Sequence, residues 1–170
     1  VAFPAAPWTE PLAESVAVAL GDSTYLYRHT KPSAPPAPKL AKAVVLCSAA
    51  DKPAAQAGLR RGAAIAQGVA LAREWANRPG NHCTPELLAE EARRLGREHG
   101  FKVQVLERKD IERLGMGAFL AVAQGSHQAP KFIVMHYSGG PKGQAPVALV
   151  GKGITFDTGG ISIKPAAEMD

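Results

Sequence analysis

No stretch of this sequence stays apolar for the roughly 20 residues that a membrane-spanning helix needs, and no basic segment followed by an apolar one opens it. Cysteine is scarce: Cys47 and Cys83 stand in different segments without C-x-x-C spacing, which argues against a zinc ribbon or a disulfide framework and fits a reducing cytoplasm. The histidines His29, His82, His99, His127 and His136 show neither H-x-x-x-H nor H-E-x-x-H spacing, so zincin chemistry has no support and all five read as surface or packing residues. Basic side chains interleaved with aromatics are also lacking. The formal charge of +5 would draw anionic partners, yet pairs such as Arg60-Arg61 and Arg93-Arg94 are scattered, and nucleic-acid binding is not the leading expectation.

What is present is a globular composition, 46% hydrophobic and 21% charged over 170 residues, enough for one core or parts of two. The chain opens on Val1 and stops at Asp170, just after a Gly-rich stretch, and both ends are expected to be cut. Thr9 as N-cap, Pro11, and Leu12, Val16 and Leu20 at helical spacing predict a helix that Gly21 should stop. Four prolines at 32, 35, 36 and 38 predict an extended connector. Ala43 to Cys47 suits a buried strand, and Asp51 with Pro53 opens a long helix to about Trp75. Its small residues, Gly58, Gly62 and Gly68 among them, imply close packing or local irregularity, since each glycine costs about 1 kcal/mol against alanine there.

Asn77 to Asn81 (NRPGN) reads as a turn, and Thr84-Pro85-Glu86 as the capped start of a helix running to Gly100. Phe101, Val103 and Val105 alternate as a strand, Asp110 to Leu114 adds a short helix, and the pattern after Met116 turns strand-rich, with Phe132 to Tyr137 and a buried strand at Val147 to Val150. Helices alternating with short apolar strands predict an α/β layered fold without internal repeats. Trp8 and Trp75 read as packing residues.

The chemistry concentrates in Val147 to Lys164, VALVGKGITFDTGGISIK. In open α/β sheets ligands bind beyond the C-terminal ends of strands, where this segment would deliver Lys152 and Asp157. A phosphate-binding loop fails on detail: Pro146 stands where a glycine is needed and Gly153 where Ser or Thr is needed. Asp157 and a neutral Lys152 could ligate a metal, although bringing a lysine from about 10.4 to near 7 costs roughly 5 kcal/mol, which a bonded dication can supply. An ion pair between Lys152 and Asp157 across the turn explains the spacing equally well. Gly151, Gly153, Gly159 and Gly160 would let the backbone turn sharply or approach an ion, and Thr155 and Thr158 could orient it.

The string Gly151 to Lys164, GKGITFDTGGISIK, followed by Met169-Asp170, closely resembles the metal-binding segment of leucyl aminopeptidases. The resemblance extends through MGAFLAVAQGS (116 to 126), NRPGNHCTP (77 to 85) and the helix from Gly62 to Trp75, and is loose only over about the first 20 residues. It implies that Lys152 and Asp157 are metal ligands, with Asp157 bridging two metals, and that Lys164 is catalytic, polarising the scissile carbonyl. Asp170 matches an aspartate that is not a ligand.

The resemblance implies a two-metal enzyme releasing N-terminal, leucine-like residues from peptides, with Mn(II) or Zn(II) and bicarbonate as cofactors and a hexameric full-length form in the cytoplasm. Its further ligands, and the arginine that binds bicarbonate, would lie past Asp170, so the 170 residues alone are expected to be inactive. The implied architecture is the end of an α/β N-terminal domain with the Pro-rich connector (1–52), a connecting helix (53–78), and the first part of an α/β/α catalytic domain with a mixed sheet (79–170). Two further readings stand beside it: a DNA-binding role, which some family members combine with peptidase activity, and a catalytically silent scaffold.

Overall fold

The structure is a computed structural model and describes residues 2–3 and 7–156. The chain forms two compact units, Val1–Arg78 and Pro79–Asp170.

In the first unit, strand β1 (Ala2–Phe3) pairs in parallel with β2 (Val44–Val45), and helices α1 (Glu10–Thr24) and α2 (Lys52–Ala76) pack against each other. Thr9 caps α1 through its side chain, which accepts the Leu12 amide at 3.3 Å, satisfying an orphan donor of the first turn. The helices run in the same direction, because Gly58 meets Ala13, Gly62 meets Ala17 and Ala66 meets Gly21 in order along both chains. Parallel helices following parallel strands are the mark of β-α-β connection. The small residues expected to signal close packing do so. A Cβ on Gly58 would come within 2.8 Å of the Ala13 Cβ, and one on Gly62 within 2.7 Å of the Ala17 Cβ, so larger side chains would force the axes apart. Trp8 is buried with Ala13 and Ala55 beneath the helix pair, and its indole N–H donates to the Leu46 carbonyl at 2.9 Å. The Pro-rich connector is without regular structure and largely exposed.

Two expectations for this unit need correction. Gly21 does not stop α1, which continues to Thr24. It is an interior residue whose missing Cβ leaves room for Ala66, at 2.5 Å from where that Cβ would stand. The run from Ala43 to Cys47 yields only the two-residue β2, with Val44 43% and Leu46 54% exposed. Its one described neighbour, β1, is two residues long and cannot cover a longer strand. Helix α2 opens at Asp51 as expected, with Asp51 its N-cap, although the side chain makes no cap bond.

In the second unit, α3 (Pro85–His99) is capped by Thr84, whose side chain accepts the Leu87 amide at 3.3 Å, and ends at Gly100 in the left-handed conformation, φ 73°. Strand β3 (Lys102–Leu106) pairs antiparallel with β4 (Phe132–His136), Val103 facing Met135 and Val105 facing Ile133. Those four share one sheet face. Helix α3 packs on the pair, and Gly96 permits the approach, since a Cβ there would meet Val103 Cγ2 at 2.7 Å. Helix α4 (Arg108–Arg113) opens with a reciprocal capping box between Glu107 and Asp110 and buries Ile111 completely.

Of the two strands expected after Met116, Phe132 to Tyr137 is present as β4, and the stretch before it is helical. Gly117–Ala123 is a helix, α5, in keeping with the helix propensity of Ala and Leu over that run, and its Phe119 meets Phe132 edge-on at 5.8 Å. Val147 to Val150 is not a buried strand: it has no regular structure, and Val147, Leu149 and Val150 are 84%, 94% and 97% exposed. An apolar run becomes a strand only with neighbours to pair with, and no described strand lies beside it. Both units place helices on small sheets, as an α/β class requires. No described helix is long and apolar enough to cross a membrane.

Candidate metal centre

The described part of the segment carrying the expected site, residues 151–156, follows Val150 without entering a helix or strand. Lys152 is exposed, and no ion pair joins it to another described residue. Asp157 and Lys164, the other expected site residues, lie outside the described residues, as do Thr158, Gly159 and Gly160. Gly151 and Gly153 have no positive φ, and no described residue lies within 4 Å of a Cβ added at either.

The structure brings this segment onto a second stretch that the sequence singled out. Pro79 to His82 forms a turn in which the His82 amide donates to the Pro79 carbonyl at 2.7 Å. Thr155 and Phe156 lie on Gly80, where an added Cβ would stand 3.2 Å from the Thr155 carbonyl oxygen and 3.3 Å from the Phe156 Cβ. Phe156 is the residue before Asp157. Two motifs far apart in sequence therefore meet where the chain enters the expected ligand.

Sequence reasoning missed an ionic cluster in the same unit. The Lys131 side chain, only 7% exposed, binds the carboxylates of Glu86, in the first turn of α3, and Glu107, the N-cap of α4. Arg93 approaches the same two acids at 3.6 and 3.8 Å. Hydrogen bonding to Glu107 and then Glu86 pushes the Lys131 ammonium pKa up, while the bond from Lys131 holds the Glu86 carboxyl below its ordinary range. Nothing local announces this arrangement, because its members come from three separate elements.

Among the described residues no three His, Cys, Asp or Glu side chains gather as a metal site. An amine and a carboxylate five positions apart offer a nitrogen and an oxygen donor, a chemistry that first-row divalent ions accept. They fit as part of a ligand set, since even one tetrahedral ion takes four donors.

A family model described as "Cytosol aminopeptidase family, catalytic domain" matches residues 70–170. The chain is 68% identical over 158 residues to the "Probable cytosol aminopeptidase" of Methylibium petroleiphilum, covering 93% of this chain and 33% of that protein. It is 55% identical over 167 residues to the protein of the same name from Polaromonas naphthalenivorans, covering 98% and 32%. Among solved structures, "Bottromycin maturation enzyme BotP in complex with Mn" superposes with a TM-score of 0.65 at 28% identity, covering 95% of this chain and 31% of that one. The chain thus spans about a third of the length of the curated relatives it matches.

Proposed function

Because this chain belongs to the cytosol aminopeptidase family, we propose that the full-length protein is a metal-dependent aminopeptidase releasing N-terminal residues, leucine-like ones preferred, from peptides. The observation that carries the reading is the identity of 68% across 93% of the chain, together with GKGITFDTGGISIK. Support for a metal comes from the solved relative with Mn and from the donor chemistry of Lys152 and Asp157.

On this reading Lys152, as a neutral amine, and Asp157, as a carboxylate, would hold two divalent ions, Mn(II) or Zn(II). When bound, such ions would supply Lewis acidity and lower the pKa of a water towards neutrality. Lys164 donates to the scissile carbonyl oxygen and stabilises the charge that develops there, an interaction stronger in the transition state than in the ground state. Bicarbonate is a further cofactor of the full-length protein, held by an arginine outside these 170 residues. The protein works as a cytoplasmic hexamer, with residues 1–52 closing an N-terminal α/β domain, 53–78 connecting, and 79–170 opening an α/β/α catalytic domain with a mixed sheet.

The test is hydrolysis of leucine p-nitroanilide by the full-length protein before and after chelation, with Lys152→Ala, Asp157→Asn and Lys164→Ala. Chelation should abolish turnover, and Lys164→Ala should lower kcat by about 100-fold or more. Undiminished turnover by all three variants would overturn the assignment. The 170-residue chain alone should not turn over, because one amine and one carboxylate cannot enclose two dications.

A further inference from the structure

The turn Pro79–His82 is a stiff element. Proline fixes its first φ, the His82 amide closes it onto the Pro79 carbonyl, and Thr84 caps α3 directly afterwards. The first turn of α3 is in turn bound through Glu86 to Lys131. Gly80 stands inside this turn, yet the turn does not demand a glycine. The glycines with positive φ among the described residues are Gly100, Gly115 and Gly143, so an L residue could adopt the Gly80 backbone without strain. What restricts the position is the neighbouring segment, since Thr155 and Phe156 occupy the space a side chain would enter.

We propose that Gly80 is a positioning residue for the metal centre: its missing Cβ lets the Thr155 carbonyl and the Phe156 side chain rest on the Pro79–His82 turn, fixing the backbone that leads into Asp157. The inference rests on the reading of Asp157 as a metal ligand. Phe156 bonds directly to Asp157, so where Phe156 rests sets where the chain enters the ligand, with only the rotations on either side of one planar peptide unit between them. The segment has few other restraints: Lys152 and Gly153 are exposed, and Phe156 is 68% exposed. A side chain at position 80 therefore acts on the ligand by lifting its support. An alanine needs the neighbours to give by a few tenths of an ångström, and a valine by more.

The experiment titrates the metal-stripped full-length protein with Mn(II), counting the free ion by its electron paramagnetic resonance spectrum, for wild type, Gly80→Ala, Gly80→Val and Asp157→Asn. Gly80→Val should weaken Mn(II) binding by about tenfold or more, the scale on which groups behind a ligand act. Gly80→Ala should shift binding the same way by less. The thermal midpoint of the metal-free protein should stay close to wild type for both, a result that a general loss of stability would not give. Should the valine variant fail to fold, the alanine variant decides. If Asp157→Asn loses Mn(II) while both Gly80 variants bind as wild type does, the ligand stands and the role of Gly80 is overturned. If Asp157→Asn itself binds as wild type does, the ligand assignment falls and this inference falls with it.

Discussion

Lys131, one residue before β4, is bound to Glu86 in the first turn of α3, with its ammonium almost wholly removed from solvent while the acid remains about half exposed. Glu107 closes the same lysine from the start of α4. One cation thus ties the start of a strand to the starts of two helices, where acidic side chains also face the positive ends of the helix dipoles. Replacing it by an isosteric apolar residue leaves two carboxylates with Arg93 alone, at 3.6 Å or more.

Lys131→Met should therefore destabilise the full-length protein by about 1–2 kcal/mol. That is less than the 3–5 kcal/mol typical of breaking a fully buried pair, because solvent still reaches both acids. Urea unfolding at pH 7 measures it, and an unchanged midpoint and slope would remove the cluster from the account of stability.

The pH dependence of the same pair has a definite sign. The hydrogen bond from Lys131 holds the Glu86 carboxyl below its ordinary 4.5, against a smaller opposing effect of desolvation. A lowered folded pKa contributes stability that is complete above the ordinary value and disappears as the pH falls through the folded one. Lys131 is raised above its ordinary 10.5, so its contribution is complete below that value and disappears only as alkali passes the raised pKa. At neutral pH both contributions are whole. Thermal midpoints recorded from pH 7 to pH 3 should fall less steeply below about 4.5 in Lys131→Met than in wild type, and parallel curves would count against the pair.

The glycines of α2 divide into two kinds, and alanine should separate them by sign. Gly68 has nothing within 4 Å of an added Cβ, so Gly68→Ala gains helix propensity alone and should stabilise by about 0.5–1 kcal/mol. A Cβ on Gly62 would stand 2.7 Å from the Ala17 Cβ and closer still to the Glu14 carbonyl oxygen, well inside contact distance. Gly62→Ala should destabilise by about 1–3 kcal/mol through overpacking. Thermal or urea unfolding of the two variants side by side checks the opposed signs, and a stabilising Gly62→Ala would show that α1 and α2 can separate freely.

The same contrast explains what the sequence made legible. Thr9, Thr84 and Gly100 were recognisable because a cap is satisfied within a few residues of itself. Gly21 was misread as a stop because the reason for it is Ala66, on another helix. The run from Gly117 to Ala123 could be strand or helix by its hydrophobicity, and the choice between them depends on packing against residues such as Phe132. Of the expected site, Lys152 is placed in an exposed, irregular segment, while Asp157 and Lys164 fall outside the described residues. The support beneath that segment, Gly80, and the cluster around Lys131 rest on pairings between distant elements, which no local pattern encodes.

Val147, Leu149 and Val150 carry the same lesson into a measurement. Their apolar character, β-branched at the two valines, suits a strand covered on both faces, yet each is more than four-fifths exposed and unpaired by any described strand. The 170-residue chain taken alone therefore presents an exposed apolar segment whose backbone no described strand pairs, the combination that templates association between copies. It should associate at micromolar concentrations, and Leu149→Glu should reverse much of that by placing a charge in the segment. Light scattering after size exclusion, over a dilution series, distinguishes the two chains. A monodisperse wild-type chain, or a Leu149→Glu variant that associates as strongly, would mean that some other surface governs its solubility.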